Sequence, residues 1–178
     1  SDRIAGYVSE LVEDESTLQI GIGSIPDAVL SSLEDKKDLG VHTELLTESV
    51  VDLVEAGVIT CAKKTLHRRK MIASFAMGTR RLYDFIDNNP MVEFYESNYV
   101  NNPLVIAQNR KMVAINQALE VDLTGQVCAD SLGYVFYSGL GGQADFVRGA
   151  RLSEEGMAIT VIPSTAKEGA ISRIQSVL

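Results

Sequence analysis

The fold class is indicated by one stretch near the N-terminus, Thr17-Leu18-Gln19-Ile20-Gly21-Ile22-Gly23-Ser24-Ile25-Pro26. Its first four residues form a short β-prone run that ends directly at Gly21, and two glycines in three residues favour a tight turn. Pro26 fits the first turn of a helix, because its fixed φ suits that position and no helical hydrogen bond is lost there. The stretch therefore predicts a strand, a glycine turn and a helix.

The same alternation continues on both sides of this stretch. Before it, apolar residues at helical spacing predict a helix, namely Ile4, Val8, Leu11 and Val12. After it, strand and helix patterns follow in turn: a strand over 41–46, a helix over 50–54 closed by Gly57, a strand over 71–76, a helix over 82–86, a strand over 92–95 and a helical turn over 104–108.

The second half of the chain extends the pattern. Residues 112–123 and 127–129 predict paired strands around a turn, a helix starts at Gln143, and 157–162 is the last clear strand. Repeated units of this length predict an α/β fold with an open, mostly parallel sheet and crossover helices. No repeat or linker interrupts them, so we expect a single domain over residues 1–178.

Composition and charge argue against several classes of protein. The chain has 178 residues, of which 46% are hydrophobic, so it can bury a substantial core. Its net charge of −8 disfavours a general nucleic-acid surface or an anionic-membrane surface. No apolar run approaches the roughly 20 residues of a membrane span, and the start lacks the apolar run of a signal peptide. We therefore expect the cytoplasm, or an organelle matrix whose targeting peptide is absent from this sequence.

The cysteines and acidic residues do not predict a metal site. Cys61 and Cys128 lack the spacing of a zinc site, so we expect buried free thiols in a reducing compartment and no disulfide. The acidic residues between positions 84 and 96 lack the paired spacing of a cation site. We therefore expect no metal.

Two glycine-rich loops are candidates for binding an anion. The loop at Gly21 and Gly23 precedes a helix N-terminus, where backbone amides suit a phosphate or carboxylate, although an ordinary tight turn explains it equally well. It departs from the dinucleotide pattern GxGxxG, because Pro26 stands where the third glycine belongs. The second loop, Gly139-Leu140-Gly141-Gly142, predicts an anion-binding nest or an oxyanion hole before the next helix.

Glu44 stands near the end of a predicted strand, where an α/β sheet delivers side chains to its carboxyl edge. It can be a nucleophile, a general base or a salt-bridged structural group. His42 would share its strand face and could pair with it, although a structural histidine is the simpler interpretation. The basic run over 63–70 is typical of a solvated face.

Longer strings, dispersed in order along the chain, carry a resemblance. They are Gly21-Ile22-Gly23-Ser24-Ile25-Pro26-Asp27-Ala28-Val29, His42-Thr43-Glu44, Phe75-Ala76-Met77-Gly78-Thr79 with Leu82-Tyr83-Asp84-Phe85-Ile86, Tyr99-Val100-Asn101-Asn102-Pro103, Val113-Ala114-Ile115-Asn116 to Val121-Asp122-Leu123-Thr124-Gly125-Gln126-Val127, Ser138-Gly139-Leu140-Gly141-Gly142-Gln143-Ala144-Asp145-Phe146, and Pro163-Ser164-Thr165-Ala166-Lys167. On these strings the chain resembles the acetyl-CoA hydrolase/CoA-transferase family, in the branch with 4-hydroxybutyrate and acetate CoA-transferases.

The resemblance implies a class I CoA-transferase-like domain and an enzyme that transfers CoA between an acyl-CoA and a short-chain carboxylate. It implies that residues 1–178 are the C-terminal catalytic domain of a longer enzyme, a homodimer whose N-terminal domain and last segment lie outside this sequence. Glu44 would be the nucleophile and would form a glutamyl-CoA thioester. The backbone N–H of Gly142 and the side-chain amide of Asn101, or of Asn102 in its place, would bind the oxyanion.

The resemblance also implies a binding path for CoA, which is a substrate and not a resident cofactor. The residues on that path would be Gly21, Ile22, Gly23, Ser24, Ile25, Leu119, Ser138, Gly142 and Lys167. Two alternatives stay open at this point. One is an acyl-CoA hydrolase that uses the same glutamate and water, and the other is a noncatalytic module that binds CoA or a nucleotide.

Overall fold

The structure is a computed structural model that describes residues 2–139 and 141–178. Leu140, in the second glycine loop, lies outside the described residues. The helices are α1 (Asp2–Leu11), α2 (Ser24–Ser31), α3 (Ser49–Glu55), α4 (Arg80–Ile86), α5 (Ser97–Val100), α6 (Pro103–Ile106) and α7 (Gln143–Leu152).

The strands are shorter and more numerous than the helices. They are β1 (Thr17–Ile20), β2 (Gly40–Val41), β3 (Leu45–Leu46), β4 (Met71–Ala73), β5 (Phe75–Ala76), β6 (Val92–Phe94), β7 (Met112–Gln117), β8 (Glu120–Asp122), β9 (Val127–Cys128), β10 (Ser131–Leu132), β11 (Val135–Phe136), β12 (Met157–Val161), β13 (Thr165–Ala166), β14 (Ile171–Ser172) and β15 (Ile174–Gln175).

The central sheet has four parallel strands in the order β12-β7-β1-β2. Smaller parallel pairs lie beside it, β3 with β5, β4 with β6 and β8 with β15. Short antiparallel pairs form from β8 with β9, β10 with β11 and β13 with β14. The predicted α/β fold with a mostly parallel sheet is therefore confirmed.

Helices cover both faces of the central sheet, as its parallel strands require. Val113 and Ile115 of β7 pack into the core cluster that also holds α1, α2 and α3, whereas Met112 and Ala114 pack into a second cluster with Phe146 of α7. Alternate residues of a strand point to opposite faces, so β7 divides the two clusters. This burial on both sides explains why the first four residues of β7, Met112 to Ile115, are all apolar.

Three predicted strands are each divided in the structure. The stretch 112–123 forms β7 of the central sheet and then β8, which pairs with β9 and β15 in another sheet. The stretch 41–46 forms β2, which pairs with β1, and then β3, which pairs with β5. The stretch 71–76 likewise divides into β4 and β5. The single-strand predictions were wrong here because an apolar pattern reports which side chains are buried and not which neighbour receives the hydrogen bonds. Between β2 and β3 the chain leaves one sheet and enters another, and Glu44 lies in that passage.

The basic run is not wholly a solvated face, and the prediction is wrong for Lys64. This side chain is buried, and its Nζ donates hydrogen bonds to the carbonyls of Val41 at 3.0 Å and Lys70 at 2.8 Å. Gly40 makes room for it, because a Cβ there would lie 2.5 Å from Lys64 Cγ. Burial lowers the pKa of Lys64 to about 8.

Both cysteines of the chain are free thiols. Cys61 is a buried free thiol, as predicted, whereas Cys128 is free but only half-buried. Cys128 lies in β9, at the margin of the fold, which explains its partial exposure. None of the helices in the described part of the chain has the length and apolar character needed to cross a bilayer.

Candidate active site

A cavity of about 890 Å³ opens at the carboxyl edge of the central sheet. Its wall includes the ends of β1 and β7, the turn after β1, Glu44, the segment after β11 and the first turn of α7. In parallel α/β sheets the strands end together at this edge, and ligand sites are characteristically found there. The fold thus brings the glycine turn, the glycine-rich loop and Glu44 to one place.

The backbone around Glu44 is held by hydrogen bonds to the neighbouring strands. Its carbonyl accepts from Ser74 N at 2.9 Å and from Phe75 N at 3.1 Å, and Thr43 N donates to Ile72 O at 3.0 Å. The half-buried Glu44 side chain lies in the cavity wall. A carboxylate on a fixed backbone at the edge of an open cavity can reach an electrophile in that cavity.

Gly142 N donates a hydrogen bond to Glu44 Oε2 at 3.1 Å. Gly142 is buried and directly precedes α7, where its carbonyl accepts from Phe146 N at 2.9 Å. A Cβ on Gly142 would lie 2.9 Å from Glu44 Oε2 and 2.7 Å from Asn101 Nδ2. Both distances are shorter than real Cβ contacts, so a side chain at Gly142 would force the ends of Glu44 and Asn101 to shift.

The two adjacent asparagines have different surroundings. The Asn101 amide nitrogen lies beside Gly142, and its Oδ1 is buried without a hydrogen-bond partner among the described residues. Asn102 instead caps α6, because its Oδ1 accepts from Leu104 N at 2.9 Å. The structure therefore brings Asn101, and not Asn102, together with Glu44 and Gly142.

The glycine turn approaches the end of β7 closely. A Cβ on Gly21 would lie 2.9 Å from Asn116 Oδ1, and one on Gly23 would lie 2.7 Å from Gln117 Oε1. Gly23 also has φ +141, a conformation that other residues rarely adopt. Gly21, Ile22 and Gly23 all line the cavity.

The other predicted CoA contacts divide into two groups. Leu119 and Ser138 line the cavity with the glycine turn. Ser24, Ile25 and Lys167 lie outside its lining. Ile25 is buried in the core as part of the first turn of α2, and Lys167 is exposed in a short 3₁₀ turn. The roles predicted for these side chains remain predictions.

Several polar residues of the wall were missed by the sequence reasoning, among them the four that follow. Gln19 and Asn116 are buried neighbours whose side-chain amides exchange hydrogen bonds of 3.1 and 2.9 Å. Gln117 and Arg173 also line the cavity, each with a buried atom that has no partner in the described structure. Asn116 and Gln117 could have been found as polar residues that end an apolar strand run, and Gln19 as an amide side chain inside the run 17–20. Arg173 had no such signal, because only the tertiary fold brings it to the cavity.

His42 does not pair with Glu44, so that predicted contact is wrong. Its ring is fully buried, and Nε2 donates to the carbonyl of Val100 at 2.8 Å. Burial lowers the pKa of His42 to about 4. The alternative interpretation, a buried histidine with a backbone partner, agrees with this geometry.

A carboxylate and two amide groups come together at this cavity. Within residues 2–139 and 141–178 no group of three or more His, Cys, Asp or Glu side chains is arranged to hold a metal ion. A carboxylate in this position can act as a nucleophile, and the amides of Gly142 and Asn101 are suited to stabilise negative charge that develops beside it.

Similarity to known proteins extends over nearly the whole chain. The 4-hydroxybutyrate coenzyme A transferase of Clostridium kluyveri is 57% identical over 96% of this chain and 40% of its own length. The acetyl-CoA hydrolase of Candida albicans is 32% identical over 88% of this chain and 31% of its own length. This chain thus spans well under half of the relatives that it matches.

Solved structures and a family model agree with these relatives. A crystal structure of 4-hydroxybutyrate CoA-transferase from Porphyromonas gingivalis has a TM-score of 0.89 and 47% identity, over 99% of this chain and 42% of that one. The model of the acetyl-CoA hydrolase/transferase C-terminal domain matches residues 78–178. With most of its length matched at these identities, the chain belongs to the acetyl-CoA hydrolase/transferase family.

Proposed function

We propose that this chain supplies the nucleophile and the oxyanion contacts of a CoA-transferase, which moves CoA from an acyl-CoA to a short-chain carboxylate through a glutamyl-CoA thioester at Glu44. The observation that carries the proposal is the hydrogen bond from Gly142 N to Glu44 Oε2. It joins the candidate nucleophile to a backbone donor at the wall of a cavity large enough for a ligand.

The reaction proceeds by four exchanges at carbonyl carbons. A Glu44 oxygen attacks the thioester carbonyl, the C–S bond breaks, and CoA thiolate leaves behind an acyl-glutamyl anhydride. The thiolate then attacks the glutamyl carbonyl, which releases the first carboxylate and forms the glutamyl-CoA thioester. An incoming carboxylate attacks that thioester and forms a second anhydride with release of thiolate. Attack of the thiolate on the new acyl group gives the new acyl-CoA and restores Glu44.

The position of Gly142 suits the steps in which the glutamyl carbonyl is itself attacked. Its N–H already points at a Glu44 carboxylate oxygen, so the same donor faces the oxygen that becomes an oxyanion. The Asn101 amide nitrogen also lies within 3 Å of the position that a Gly142 Cβ would take, and it can supply a second donor. Donors that already lie beside the carboxylate stabilise the developing charge with little reorganisation.

The cavity also offers contacts for the rest of the substrate. CoA is anionic and the chain carries a net charge of −8, so a cation in the wall has particular value. Arg173 is such a cation, and its buried Nε has no hydrogen-bond partner among the described residues. The amides that follow the Gly21–Gly23 turn provide further donors at the start of α2.

Covalent labelling of the full-length protein tests the nucleophile. After incubation with acyl-CoA, we expect a CoA adduct on the peptide that contains Glu44, and borohydride reduction of that thioester should leave an alcohol at position 44. Glu44→Gln should abolish both the adduct and transfer while CoA affinity is retained. Glu48→Gln is the matched control, because Glu48 bonds to Thr79 and is not in the cavity wall. Turnover by Glu44→Gln above about one hundredth of wild type would overturn the assignment.

Hydrolysis is the second candidate, because one relative is named an acetyl-CoA hydrolase. Water would then resolve the anhydride or the glutamyl thioester in place of a carboxylate. Acyl-CoA consumption measured with and without added acetate separates the two activities. A transferase stops after one equivalent without its acid, whereas a hydrolase continues at the same rate.

A further inference from the structure

His42 lies where the three segments that carry the candidate site residues meet. It precedes Glu44 by two residues and is fully buried. Its backbone N donates to Leu18 O at 3.0 Å, and it forms a parallel bridge with Ile72. The ring does not line the cavity. Any effect of His42 on the site must therefore pass through its neighbours.

The first of these neighbours is the segment that carries Asn101. His42 Nε2 donates at 2.8 Å to the carbonyl of Val100, the last residue of α5. The carbonyl at a helix end has no partner within its own helix, so an external donor fixes it. Asn101 follows directly, and its side-chain amide lies beside Gly142. The imidazole thus fixes the peptide group from which Asn101 starts.

The second neighbour is α7, which begins next to Gly142. The rings of His42 and Phe146 have centroids 6.1 Å apart and are tilted by 59°. Phe146 is buried, and its N–H donates to the Gly142 carbonyl at 2.9 Å. The contact between His42 and Phe146 therefore joins the first turn of α7 to the segment that carries Glu44.

The imidazole of His42 costs free energy in these apolar surroundings unless its N–H makes a hydrogen bond. Ile72, Val100 and Phe146 belong to one apolar cluster, and burying a nitrogen in such surroundings costs free energy. Nδ1 finds no partner among the described residues, so only Nε2 offsets that cost. An apolar side chain would pack here equally well but would leave the Val100 carbonyl unpaired.

We infer that His42 is a positioning residue, which holds Asn101 and the N-terminus of α7 at the distances from Glu44 that the oxyanion contacts require. This inference rests on the proposed function for its chemical consequence. Its structural part, the placement of Asn101 relative to Gly142, stands apart from that function.

Three variants of the full-length protein test the inference. Gln places an amide nitrogen close to the position of Nε2 and keeps the donor. Asn places its nitrogen near the position of Nδ1, and its side chain is too short to reach the Val100 carbonyl. Met removes the donor. We expect His42→Met and His42→Asn to lower kcat by about 10-fold to 100-fold with KM for acyl-CoA within about twofold, because misplacement by about 1 Å is costly. His42→Gln should recover most of kcat.

Two further measurements separate positioning from general destabilisation. Met112→Leu changes the same apolar cluster without touching the Val100 carbonyl, and it should leave kcat unchanged. Crystal structures should show the Asn101 side chain displaced in His42→Met and unmoved in His42→Gln. Nitrogen NMR of wild type should show a neutral ring with its proton on Nε2.

The outcomes distinguish this inference from the proposed function. If wild type forms no adduct at Glu44, the proposed function fails, and the crystal structures alone then decide whether His42 positions Asn101. An unmoved Asn101 in His42→Met, equal kcat in the Met and Gln variants, or a ring proton on Nδ1 would each overturn the inference. Should His42→Met fail to fold, the comparison of His42→Asn with His42→Gln gives the same decision.

Discussion

At the scale of single residues, the site depends on how closely a backbone approaches a side chain. Gly142 has φ −74 and ψ 3, which any residue can adopt, so backbone conformation does not require glycine there. The requirement comes from Glu44 and Asn101, which occupy the space that a side chain would fill. A substitution at Gly142 therefore displaces the two groups that the proposed chemistry uses.

We predict that Gly142→Val lowers kcat/KM by about 100-fold or more while the free energy of unfolding falls by only about 1 to 3 kcal/mol. Steady-state kinetics and thermal melts of the full-length protein measure the two effects. Gly139→Ala is the matched control, since a Cβ at Gly139 meets nothing within 4 Å. A folded Gly142→Val protein with normal activity would show that the loop is only a structural turn.

Single residues also mark what sequence reasoning can find. Glu44 and the glycine loops could be identified as candidates because strand ends and glycine clusters are visible as local patterns. The Val100 carbonyl beside His42 could not, because a backbone acceptor has no side-chain signature and lies 58 residues away. Contacts of this kind depend on how the elements assemble.

At the scale of elements, β2 depends on the packing of a lysine beneath it. The aliphatic part of the Lys64 side chain passes over Gly40 while its Nζ bonds to the Val41 carbonyl. Thr17 Oγ1 lies on the same side, 3.0 Å from where a Gly40 Cβ would be. The edge of the central sheet is therefore closed by a buried charged side chain.

We predict that Gly40→Ala destabilises the fold by about 1 to 3 kcal/mol, because the added methyl group overpacks this edge. Gly6→Ala in α1 is the matched control, since a Cβ there meets nothing within 4 Å, and alanine should stabilise the helix by about 0.5 to 1 kcal/mol. Urea denaturation at equilibrium measures both changes. Equal stability of Gly40→Ala and wild type would contradict the packing argument.

The elements also show where the sequence prediction of the fold succeeded. The predicted helices over 4–12, 50–54 and 82–86 correspond to α1, α3 and α4, and the predicted strand over 17–20 is β1. Success came where a single periodic pattern matched one element. The stretch 41–46 failed because its two halves pair with different strands, and pairing partners are not encoded in local periodicity.

At the scale of the whole molecule, stability depends on pH through a buried histidine. The pKa of His42 is lowered to about 4 by burial, from an ordinary value of 6.5 that the unfolded chain regains. Between these values the unfolded chain binds a proton that the folded chain excludes. The contribution of His42 to the free energy of unfolding is therefore fully present above pH 6.5 and is lost as the pH falls toward 4. Burial raises the pKa of Asp122, but hydrogen bonds from Thr124, Leu178 N–H and Gln126 outweigh burial and hold that pKa below its usual range. Protonation of Asp122 therefore lowers the free energy of unfolding further as the pH falls below the ordinary range of an aspartate.

We predict that the free energy of unfolding falls by about 3 kcal/mol between pH 7 and pH 4 through His42 alone, since each pKa unit corresponds to about 1.4 kcal/mol. Urea denaturation at several pH values measures the slope. His42→Gln should remove this contribution and flatten the curve between pH 6.5 and 4. Equal slopes for wild type and His42→Gln would contradict the prediction.

The order of strands in the central sheet governs how the chain reaches its native state. Thr17, the first residue of β1, pairs with Met112, the first residue of the neighbouring strand β7. The other edge of β7 pairs with β12, which begins at Met157. During synthesis, β1 therefore has no β7 to pair with until more than half of the chain has been made. Bringing such distant strands together costs loop-closure entropy before any stabilising contact forms, which makes folding slow. Refolding should thus be rate-limited by assembly of the sheet centre.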